Sequence, residues 1–258
     1  MVKTLLLAAM AFAAFAESPL PPVRIILVGD STMAVKSGYG PGFCADVVAA
    51  VTCLNMAKGG RSSSSYRAEG SWDQVMQQLK HNSDFKATYV LIQFGHNDQP
   101  GKPSRSTDLA TEFPANIKRY VEEVKSTNAQ PVLVTPLTRR SFREGQLKND
   151  LDAWAAATRK VGDEEHVPVL ELNAESAAAV QKMGPVEANT MAMAPAPPEV
   201  ASTAANGNSV PVSKPPAGST APSFDYTHLG AKGAAYFGGM VANELVHAIP
   251  DMAPYFTH

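Results

Sequence analysis

Four short polar stretches carry the residue types that acyl transfer requires. They are Gly29-Asp30-Ser31, Gly59-Gly60-Arg61-Ser62, Gly95-His96-Asn97-Asp98 and Asp225-Tyr226-Thr227-His228. A serine hydroxyl becomes a nucleophile when a base takes its proton, and Ser31 and His228 are the candidates for these two roles. Asp225 lies three residues before His228. On a tight turn it could bind the other ring nitrogen, fix the tautomer and stabilise the imidazolium.

The same stretches supply hydrogen-bond donors for the oxyanion of a tetrahedral intermediate. The expected donors are the backbone N–H groups of Ser31 and Gly60 and the side-chain amide of Asn97. Removing one such donor typically lowers the rate about a hundredfold or more. Gly60 leaves the approach open because it has no side chain. Each residue alone is common in turns and helix caps, so the prediction rests on their joint occurrence at strand and helix ends.

The surroundings of Ser31 argue against an α/β-hydrolase nucleophile elbow. That motif has the form Gly-x-Ser-x-Gly, whereas Ser31 directly follows Gly29-Asp30 and Met33 occupies the place of the last glycine. His96 neighbours Asn97 and is expected to hold that loop in place.

Buried strands are predicted to end where these polar stretches begin. Aliphatic and β-branched runs predict five strands, at Val23–Gly29, Val51–Ala57, Thr88–Phe94, Gln130–Thr135 and Val167–Leu172. Helical segments are predicted between and after them, at Phe43–Ala50, Ser71–Lys80, Glu112–Lys125, Leu147–Val161 and Ala174–Lys182, with a closing helix to about Ala248. This alternation predicts an α/β domain with a parallel sheet covered on both faces. Three of the polar stretches would share its carboxyl edge, where such proteins bind ligands.

Composition argues against several other classes of protein. The chain has 258 residues, of which 45% are hydrophobic and 18% charged, and its net charge is −2. These values suit one globular domain. No long basic run provides the electrostatic footprint of nucleic-acid binding. Metal-ligand spacing is absent from the sequence, so we expect no metal.

Residues 1–16 are predicted to be a secretory signal peptide. Lys3 supplies the positive charge, Leu5–Phe12 the apolar core, and Ala14-Phe15-Ala16 the cleavage site. The alternative, a membrane anchor, is disfavoured because the apolar run is short for a membrane span. We therefore expect a secreted, extracellular protein with a single domain over residues 17–258.

Two further features concern the organisation of that domain. Cys44 and Cys53 are either a disulfide or two small core residues, because spacing alone cannot establish the geometry of a bridge. Residues 184–223 are rich in Pro, Ala, Ser, Thr and Val and show no periodicity. We expect this low-complexity stretch to be a long irregular insertion.

At the polar stretches the chain resembles the SGNH (GDSL-like) hydrolase superfamily, and in particular its rhamnogalacturonan acetylesterase branch. The resemblance covers about residues 24–183 and 224–247. The matching blocks are Gly29–Ala34, Gly60–Tyr66, Glu69-Gly70, Phe94–Asp98, Thr135–Phe142 and Asp225–His228. The resemblance implies a flavodoxin-like, three-layer α/β/α sandwich and a metal-independent esterase. It also implies a triad of Ser31, Asp225 and His228, and activity on O-acetyl groups of plant cell-wall polysaccharide.

The resulting expectation is a monomeric esterase without a cofactor that deacetylates rhamnogalacturonan through an acetyl-serine intermediate. One alternative is an esterase for xylan acetate, a lipid or a thioester, and another is a secreted carbohydrate-binding protein with little activity. The insertion at 184–223 should border the mouth of the site, so it affects which of these substrates the protein can accept. Residues that could support the catalytic groups or contact the substrate are Asp30, Arg61, Trp72, His96, Asp98, Arg139 and Arg140. The guanidinium groups of Arg139 and Arg140 would match galacturonate carboxylates.

Overall fold

The computed structural model describes residues 19–212 and 222–257 of the chain. The expected signal peptide therefore lies outside the described residues. Within the described ranges, no helix combines the length and the apolar character needed to cross a bilayer.

A parallel sheet forms the centre of the domain. Its strands are β1 Val23–Gly29, β2 Val51–Asn55, β3 Ala87–Gln93, β4 Gln130–Val134 and β7 Val169–Leu170. Two short strands, β5 Phe142–Arg143 and β6 Gln146–Leu147, form a separate antiparallel hairpin. The five-stranded sheet has the order β2-β1-β3-β4-β7 and all its pairs are parallel, which is the flavodoxin-like order.

Helices cover both faces of this sheet. They are α1 Gly40–Ala45, α2 Ser65–Ala68, α3 Ser71–Leu79, α4 Glu112–Lys125, α5 Asp152–Glu165, α6 Leu172–Asn189, α7 Pro198–Ala204 and α8 Ala231–Ala248. In β1, Ile25 belongs to the same apolar cluster as Phe237 of α8, whereas Ile26 belongs to the cluster that contains Val121 of α4. Neighbouring strand residues point to opposite faces, so the central part of β1, Ile25–Val28, is apolar on both faces. The predicted three-layer α/β/α sandwich is confirmed.

The strand register brings two of the polar stretches together. Strands β1 and β3 are adjacent, and Gly29 is paired with Gln93. A Cβ atom at position 29 would lie 2.7 Å from the carbonyl oxygen of Gln93, so glycine is required for this close approach. The strand order reverses between β1 and β3. The turns that follow them therefore emerge side by side at the switch point where such sheets bind ligands.

Most of the predicted helix bounds differ from the observed ones. Helix α6 is longer than predicted and spans Leu172–Asn189 rather than Ala174–Lys182. Helix α1 ends at Ala45 rather than at Ala50. Helix α5 begins at Asp152 rather than at Leu147, because Leu147 pairs with Phe142 in the β5–β6 hairpin.

The segment expected to be irregular is partly helical. Gly184 has φ +70° and interrupts α6, and Pro185 then begins a further helical stretch that ends at Asn189. Helix α7 buries Val200 on the body of the domain. Beyond it, Ser209 N donates to the carbonyl of Phe142 at 2.9 Å. The expectation of an irregular insertion is therefore wrong for the helical parts, 185–189 and 198–204, and residues 213–221 lie outside the described ranges.

A disulfide joins Cys44 of α1 to Cys53 of β2, with their Cα atoms 5.7 Å apart. Of the two alternatives for the cysteines, a disulfide or two small core residues, the disulfide is therefore confirmed. Replacing both by alanine should lower the free energy of unfolding by about 2–3 kcal/mol, because the unfolded chain loses a short closed loop. Urea unfolding with and without reductant measures the effect. The double variant should be insensitive to reductant, and equal stability of oxidised and reduced wild-type protein would contradict the prediction.

Candidate active site

Ser31 lies in a tight turn directly after β1. The carboxylate of Asp30 organises the turn, because its Oδ1 accepts hydrogen bonds from Thr32 N at 2.9 Å and Thr32 Oγ1 at 2.8 Å. Ser37 Oγ donates to the carbonyl of Ser31 at 2.8 Å. Ser31 is only 7% exposed, yet its hydroxyl makes no hydrogen bond to any described residue. The turn thus fixes the backbone of Ser31 while leaving its hydroxyl unbound.

Asp225 and His228 form a close pair on the loop before α8. Asp225 Oδ2 lies 2.7 Å from His228 Nδ1, and Asp225 Oδ1 accepts the backbone N–H groups of Thr227 and His228, each at 2.7 Å. Burial disfavours the charge on Asp225, but the hydrogen bond and charge of His228 outweigh it and lower the pKa of this carboxyl to about 2. An ionised carboxylate only accepts hydrogen bonds. The proton of neutral His228 therefore lies on Nδ1, and Nε2 can accept a proton.

Arg140 holds this loop from the interior of the protein. It is 0% exposed, and its Nη2 donates to the carbonyls of Asp225 at 2.8 Å and His228 at 2.9 Å. Burial lowers the pKa of Arg140 to about 10, against the opposing charge of Asp225. A buried guanidinium bound to backbone carbonyls is not accessible to a sugar carboxylate. Of the two roles predicted for Arg140, supporting the catalytic groups or contacting substrate, its burial and its contacts favour the first.

Two hydrogen bonds connect the loop of His228 to the turn of Ser31. Leu229 N donates to the carbonyl of Ser37 at 2.9 Å, and Ser37 Oγ in turn donates to Ser31 O. Among the described residues, no hydrogen bond joins Ser31 Oγ to His228 Nε2. Catalytic hydrogen bonds are often long before substrate binds, so the role of His228 as base for Ser31 remains a prediction.

The three predicted oxyanion donors have unused N–H groups. Asn97 is 8% exposed, and its Nδ2 donates to the carbonyl of Arg61 at 3.0 Å, which leaves the second N–H of the amide. The backbone N–H groups of Ser31 and Gly60 have no acceptor within the described ranges. Gly59 lies beside Ser31, since a Cβ atom placed there would be 3.8 Å from Ser31 Cβ. Buried N–H groups are nearly always paired, so the free N–H of buried Ser31 marks a place for an acceptor.

Asp98 ties the Gly60 loop to the turn after β3. It accepts hydrogen bonds from Ser63 N at 3.0 Å, Gly95 N at 3.1 Å and Thr107 Oγ1 at 3.1 Å, and also from Ser63 Oγ. Burial raises the pKa of Asp98 to about 6, because desolvation outweighs these hydrogen bonds. Asp98 is buried, so it supports the site rather than contacting substrate.

The raised pKa of Asp98 predicts a pH dependence of stability. An unfolded aspartate titrates near 3.9, so the native state binds a proton more tightly than the unfolded state does. The stabilising contribution is complete below about pH 4 and is lost as the pH rises through about 6. Chemical unfolding from pH 4 to 7 should show the stability advantage of wild type over Asp98→Asn shrinking by about 2–3 kcal/mol. Asp163→Asn, at an exposed aspartate, serves as the control, and a pH-independent difference would contradict the prediction.

His96 is buried against Asp30. Its Nδ1 lies 3.4 Å from Asp30 Oδ2, so the pair joins the turn after β3 to the turn after β1. Burial lowers the pKa of His96, and the charge of Asp30 opposes this. Both residues are placed to support the backbone around Ser31 and Asn97, as expected for His96.

The other three candidates for substrate contact lie in different environments. The guanidinium of Arg61 binds Glu69 at 2.8 Å, so its carbonyl, and not its charge, contacts Asn97. Trp72 is buried, and its ring packs on Tyr120 with centroids 4.6 Å apart, which favours a structural role for this residue over a contact with substrate. Arg139 lines an open cleft of about 470 Å³ together with Asp225.

Arg105 is a residue of this site that sequence reasoning missed. Its Nη1 donates to the carbonyl of Gly60 at 3.2 Å and to Asn97 Oδ1 at 3.3 Å. It lies in a polar loop without a recognisable motif. Its contact with Gly60 spans 45 positions of the chain, so no signal in the sequence points to it.

The chain is similar to known esterases over most of its length. A model of the GDSL-like Lipase/Acylhydrolase family matches residues 27–236. Rhamnogalacturonan acetylesterase RhgT of Bacillus subtilis strain 168 is 32% identical over 178 residues, which cover 66% of this chain and 73% of that protein. The probable rhamnogalacturonan acetylesterase YesY of the same strain is 27% identical over 168 residues, which cover 62% of this chain and 75% of that protein. The crystal structure of the YxiM protein of Bacillus subtilis aligns with a TM-score of 0.66 at 20% identity, covering 93% of this chain and 60% of that one, and this likeness concerns the fold.

Proposed function

The chain belongs to the GDSL-like lipase/acylhydrolase family and is a carboxylic ester hydrolase, and we propose that it removes O-acetyl groups from plant cell-wall polysaccharide. Acetylated rhamnogalacturonan is the proposed substrate. The observation that carries the reaction type is the pair formed by ionised Asp225 and His228, 2.7 Å apart, on a loop hydrogen-bonded to the turn of Ser31. The unpaired N–H groups of Ser31 and Gly60 provide for the negative charge that such a reaction develops.

In the first half of the proposed reaction, Ser31 Oγ attacks the acetyl carbonyl carbon while His228 Nε2 takes the hydroxyl proton. The carbonyl π electrons move to its oxygen, which accepts hydrogen bonds from Ser31 N, Gly60 N and Asn97 Nδ2. When the tetrahedral intermediate collapses, the bond between the carbonyl carbon and the sugar oxygen breaks. His228 donates its Nε2 proton to the departing sugar oxygen, which leaves acetyl-Ser31.

In the second half, water attacks the acetyl carbon and gives a proton to His228 Nε2. The same three donors hold the second oxyanion. Collapse breaks the bond to Ser31 Oγ, releases acetate and returns the proton from His228 to the serine. The carboxylate of Asp225 stabilises the imidazolium in both halves and keeps the proton of the neutral ring on Nδ1. All of these groups come from one chain, so a monomer suffices.

Two observations support the choice of substrate. RhgT, which is 32% identical over 178 residues, is a rhamnogalacturonan acetylesterase. Arg139 also lines the cleft beside Asp225, where a guanidinium can meet a uronate carboxylate. Its Nη1 is bound to Asp150 and its Nη2 to Gln99 Oε1, so a sugar carboxylate would have to share or replace these partners.

Secretion is part of the proposal. The sequence of residues 1–16 has the charged, apolar and small-residue regions of a signal peptide. The Cys44–Cys53 disulfide suits an oxidising compartment. N-terminal sequencing of the exported protein should find Glu17 or Ser18 as the first residue.

Acetate release from three substrates compared side by side tests the proposed function. The substrates are acetylated rhamnogalacturonan, acetylated xylan and a small chromogenic acetate ester, with Ser31→Ala protein as the blank. We expect the highest kcat/KM on rhamnogalacturonan. A higher value on xylan, or a preference for acyl chains longer than butyryl, would contradict the substrate assignment. Polysaccharide binding without acetate release would contradict the proposed reaction.

A further inference from the structure

We propose that Arg105 is a positioning residue of the oxyanion hole, which fixes the orientation of the Asn97 amide and strengthens its N–H as a donor. The inference rests on the proposed function, because it assigns one more residue to the same reaction. It concerns a side chain outside the polar stretches that identify the family.

The contacts of Arg105 lie on two of the three predicted donors. One nitrogen, Nη1, is 3.2 Å from the carbonyl oxygen of Gly60 and 3.3 Å from Asn97 Oδ1. Gly60 has φ +78°, and a Cβ atom placed there would lie 3.6 Å from the same nitrogen. The guanidinium thus lies against the Gly60 loop and the Asn97 side chain together.

The amide of asparagine can serve as an oxyanion donor in one orientation only. Its oxygen and nitrogen differ in hydrogen-bonding role but hardly in shape, so the surroundings must choose between the two. Arg105 only donates, which holds Asn97 Oδ1 toward it, and the Arg61 carbonyl only accepts, which holds Nδ2 at 3.0 Å. A flipped amide would face a donor with its NH₂ and an acceptor with its oxygen. The orientation with one free Nδ2–H is therefore fixed at both ends.

The charge of Arg105 acts through the same contact. No carboxylate oxygen of the described chain lies within 4.0 Å of its guanidinium nitrogens, whereas Arg61 is paired with Glu69 and Arg139 with Asp150. A hydrogen bond from an ionised donor is about twice as strong as a neutral one, and hydrogen bonds in a chain polarise one another. The Asn97 N–H becomes a better donor when its own oxygen accepts from a cation.

The loop that carries Arg105 is folded back onto the turn after β3. Thr107 N donates to the carbonyl of Asp98 at 2.9 Å, and Arg105 N donates to the carbonyl of Lys102 at 3.0 Å. Ser104, directly before Arg105, has φ +61°, a backbone conformation uncommon for residues other than glycine. The loop holds this conformation within a set of hydrogen bonds that places the guanidinium over Gly60.

Steady-state kinetics on a small neutral acetate ester tests the inference. Arg105→Ala should lower kcat about ten- to a hundredfold and change KM less than about threefold. This loss in kcat is smaller than the roughly hundred- to thousandfold loss expected when an oxyanion donor itself is removed. Arg105→Lys keeps a cationic donor and should recover part of the loss. Arg143→Ala, at an arginine with a 74% exposed side chain, is the matched control and should leave kcat unchanged. Thermal unfolding of each variant checks that it folds, and Arg105→Gln replaces the alanine variant if that one does not.

A double-mutant cycle separates positioning from a general structural role. Asn97→Ala should lower kcat about 10²–10³-fold, and adding Arg105→Ala to it should lower kcat less than about threefold further, because Arg105 acts through Asn97. If the kcat losses of the two single variants multiply in the double variant, the inference is overturned. A loss confined to KM on acidic polysaccharide would overturn it as well, because it would assign Arg105 to substrate binding. If Asn97→Ala slows the reaction and Arg105→Ala does not, this inference alone fails; if Asn97→Ala has no effect, the proposed oxyanion hole fails as well.

Discussion

Replacement of Ser31 by alanine is expected to lower kcat on a chromogenic acetate ester by about 10⁴-fold or more. The reaction proposed for this site passes through a covalent bond to Ser31 Oγ, and no neighbouring hydroxyl occupies the same turn position. Residual turnover would reflect only the oxyanion donors acting on water. KM should change little, because the small ester makes few contacts beyond the reacting group.

The Ser31→Ala protein should fold like the wild type. The serine hydroxyl makes no hydrogen bond among the described residues, so its removal leaves no buried partner unsatisfied. The turn depends instead on the Asp30 carboxylate and on the bond from Ser37 Oγ to the Ser31 carbonyl, which alanine preserves. Unfolding by urea should therefore give the same midpoint for both proteins.

Ser202→Ala provides the matched control, because Ser202 is an exposed serine on α7. It should retain full activity. Mass spectrometry after acid quenching of a steady-state reaction should find acetyl on the peptide that contains Ser31, and not in the Ser31→Ala protein. More than about a hundredth of the wild-type kcat in the alanine variant would exclude Ser31 as the nucleophile.

The positions of Ser31 and Asn97 could be predicted because they follow from local rules. A strand buried on both faces reads as a continuous apolar run, and β1 was predicted with its observed bounds, Val23–Gly29. The carboxyl ends of parallel strands share one edge, so the turns after β1 and β3 had to be neighbours once the sheet was inferred. The close pairing of Asp225 with His228 likewise needs only a three-residue turn.

The supporting arginines could not be predicted, because their roles depend on contacts distant in sequence. Arg140 reaches the carbonyl of Asp225 across 85 positions, and Arg105 reaches the carbonyl of Gly60 across 45. Neither distance follows from periodicity or from spacing. In sequence, Arg139 and Arg140 are adjacent and equivalent, yet one lines the cleft and the other is buried. Contacts distant in sequence separate the two: Arg139 binds Asp150 and Gln99, whereas Arg140 binds the carbonyls of Asp225 and His228.

Composition and periodicity do not predict the helical parts of 184–212. A stretch rich in Pro, Ala and Ser lacks the strong apolar periodicity of an amphipathic helix. Pro185 and Pro198 nevertheless stand in the first turns of helical stretches, where proline is favoured because its missing N–H would be unpaired there in any case. These two prolines are therefore the sequence signal for the two helical stretches.

Replacement of Asp225 by asparagine is the second change with a large expected effect, about 10³–10⁴-fold in kcat. Asp225 Oδ1 accepts two backbone N–H groups, each at 2.7 Å. Asparagine can satisfy them only with its oxygen, so its NH₂ must face His228 Nδ1. That nitrogen would then have to accept, and the ring proton would move to Nε2. His228 would present a donor to Ser31 and could not act as its base.

This outcome separates a tautomer role of Asp225 from a merely structural one. The backbone contacts of the loop survive in Asp225→Asn, and Arg140 still binds its carbonyls, so the loop should keep its conformation. Nitrogen NMR of the imidazole should show the proton moving from Nδ1 to Nε2 of His228, in step with the loss of activity. Asp163→Asn, on the exposed face of α5, should alter neither the position of the His228 proton nor the activity. If kcat falls less than about tenfold while the proton does move, another group takes the proton of Ser31 and the role assigned to His228 is wrong.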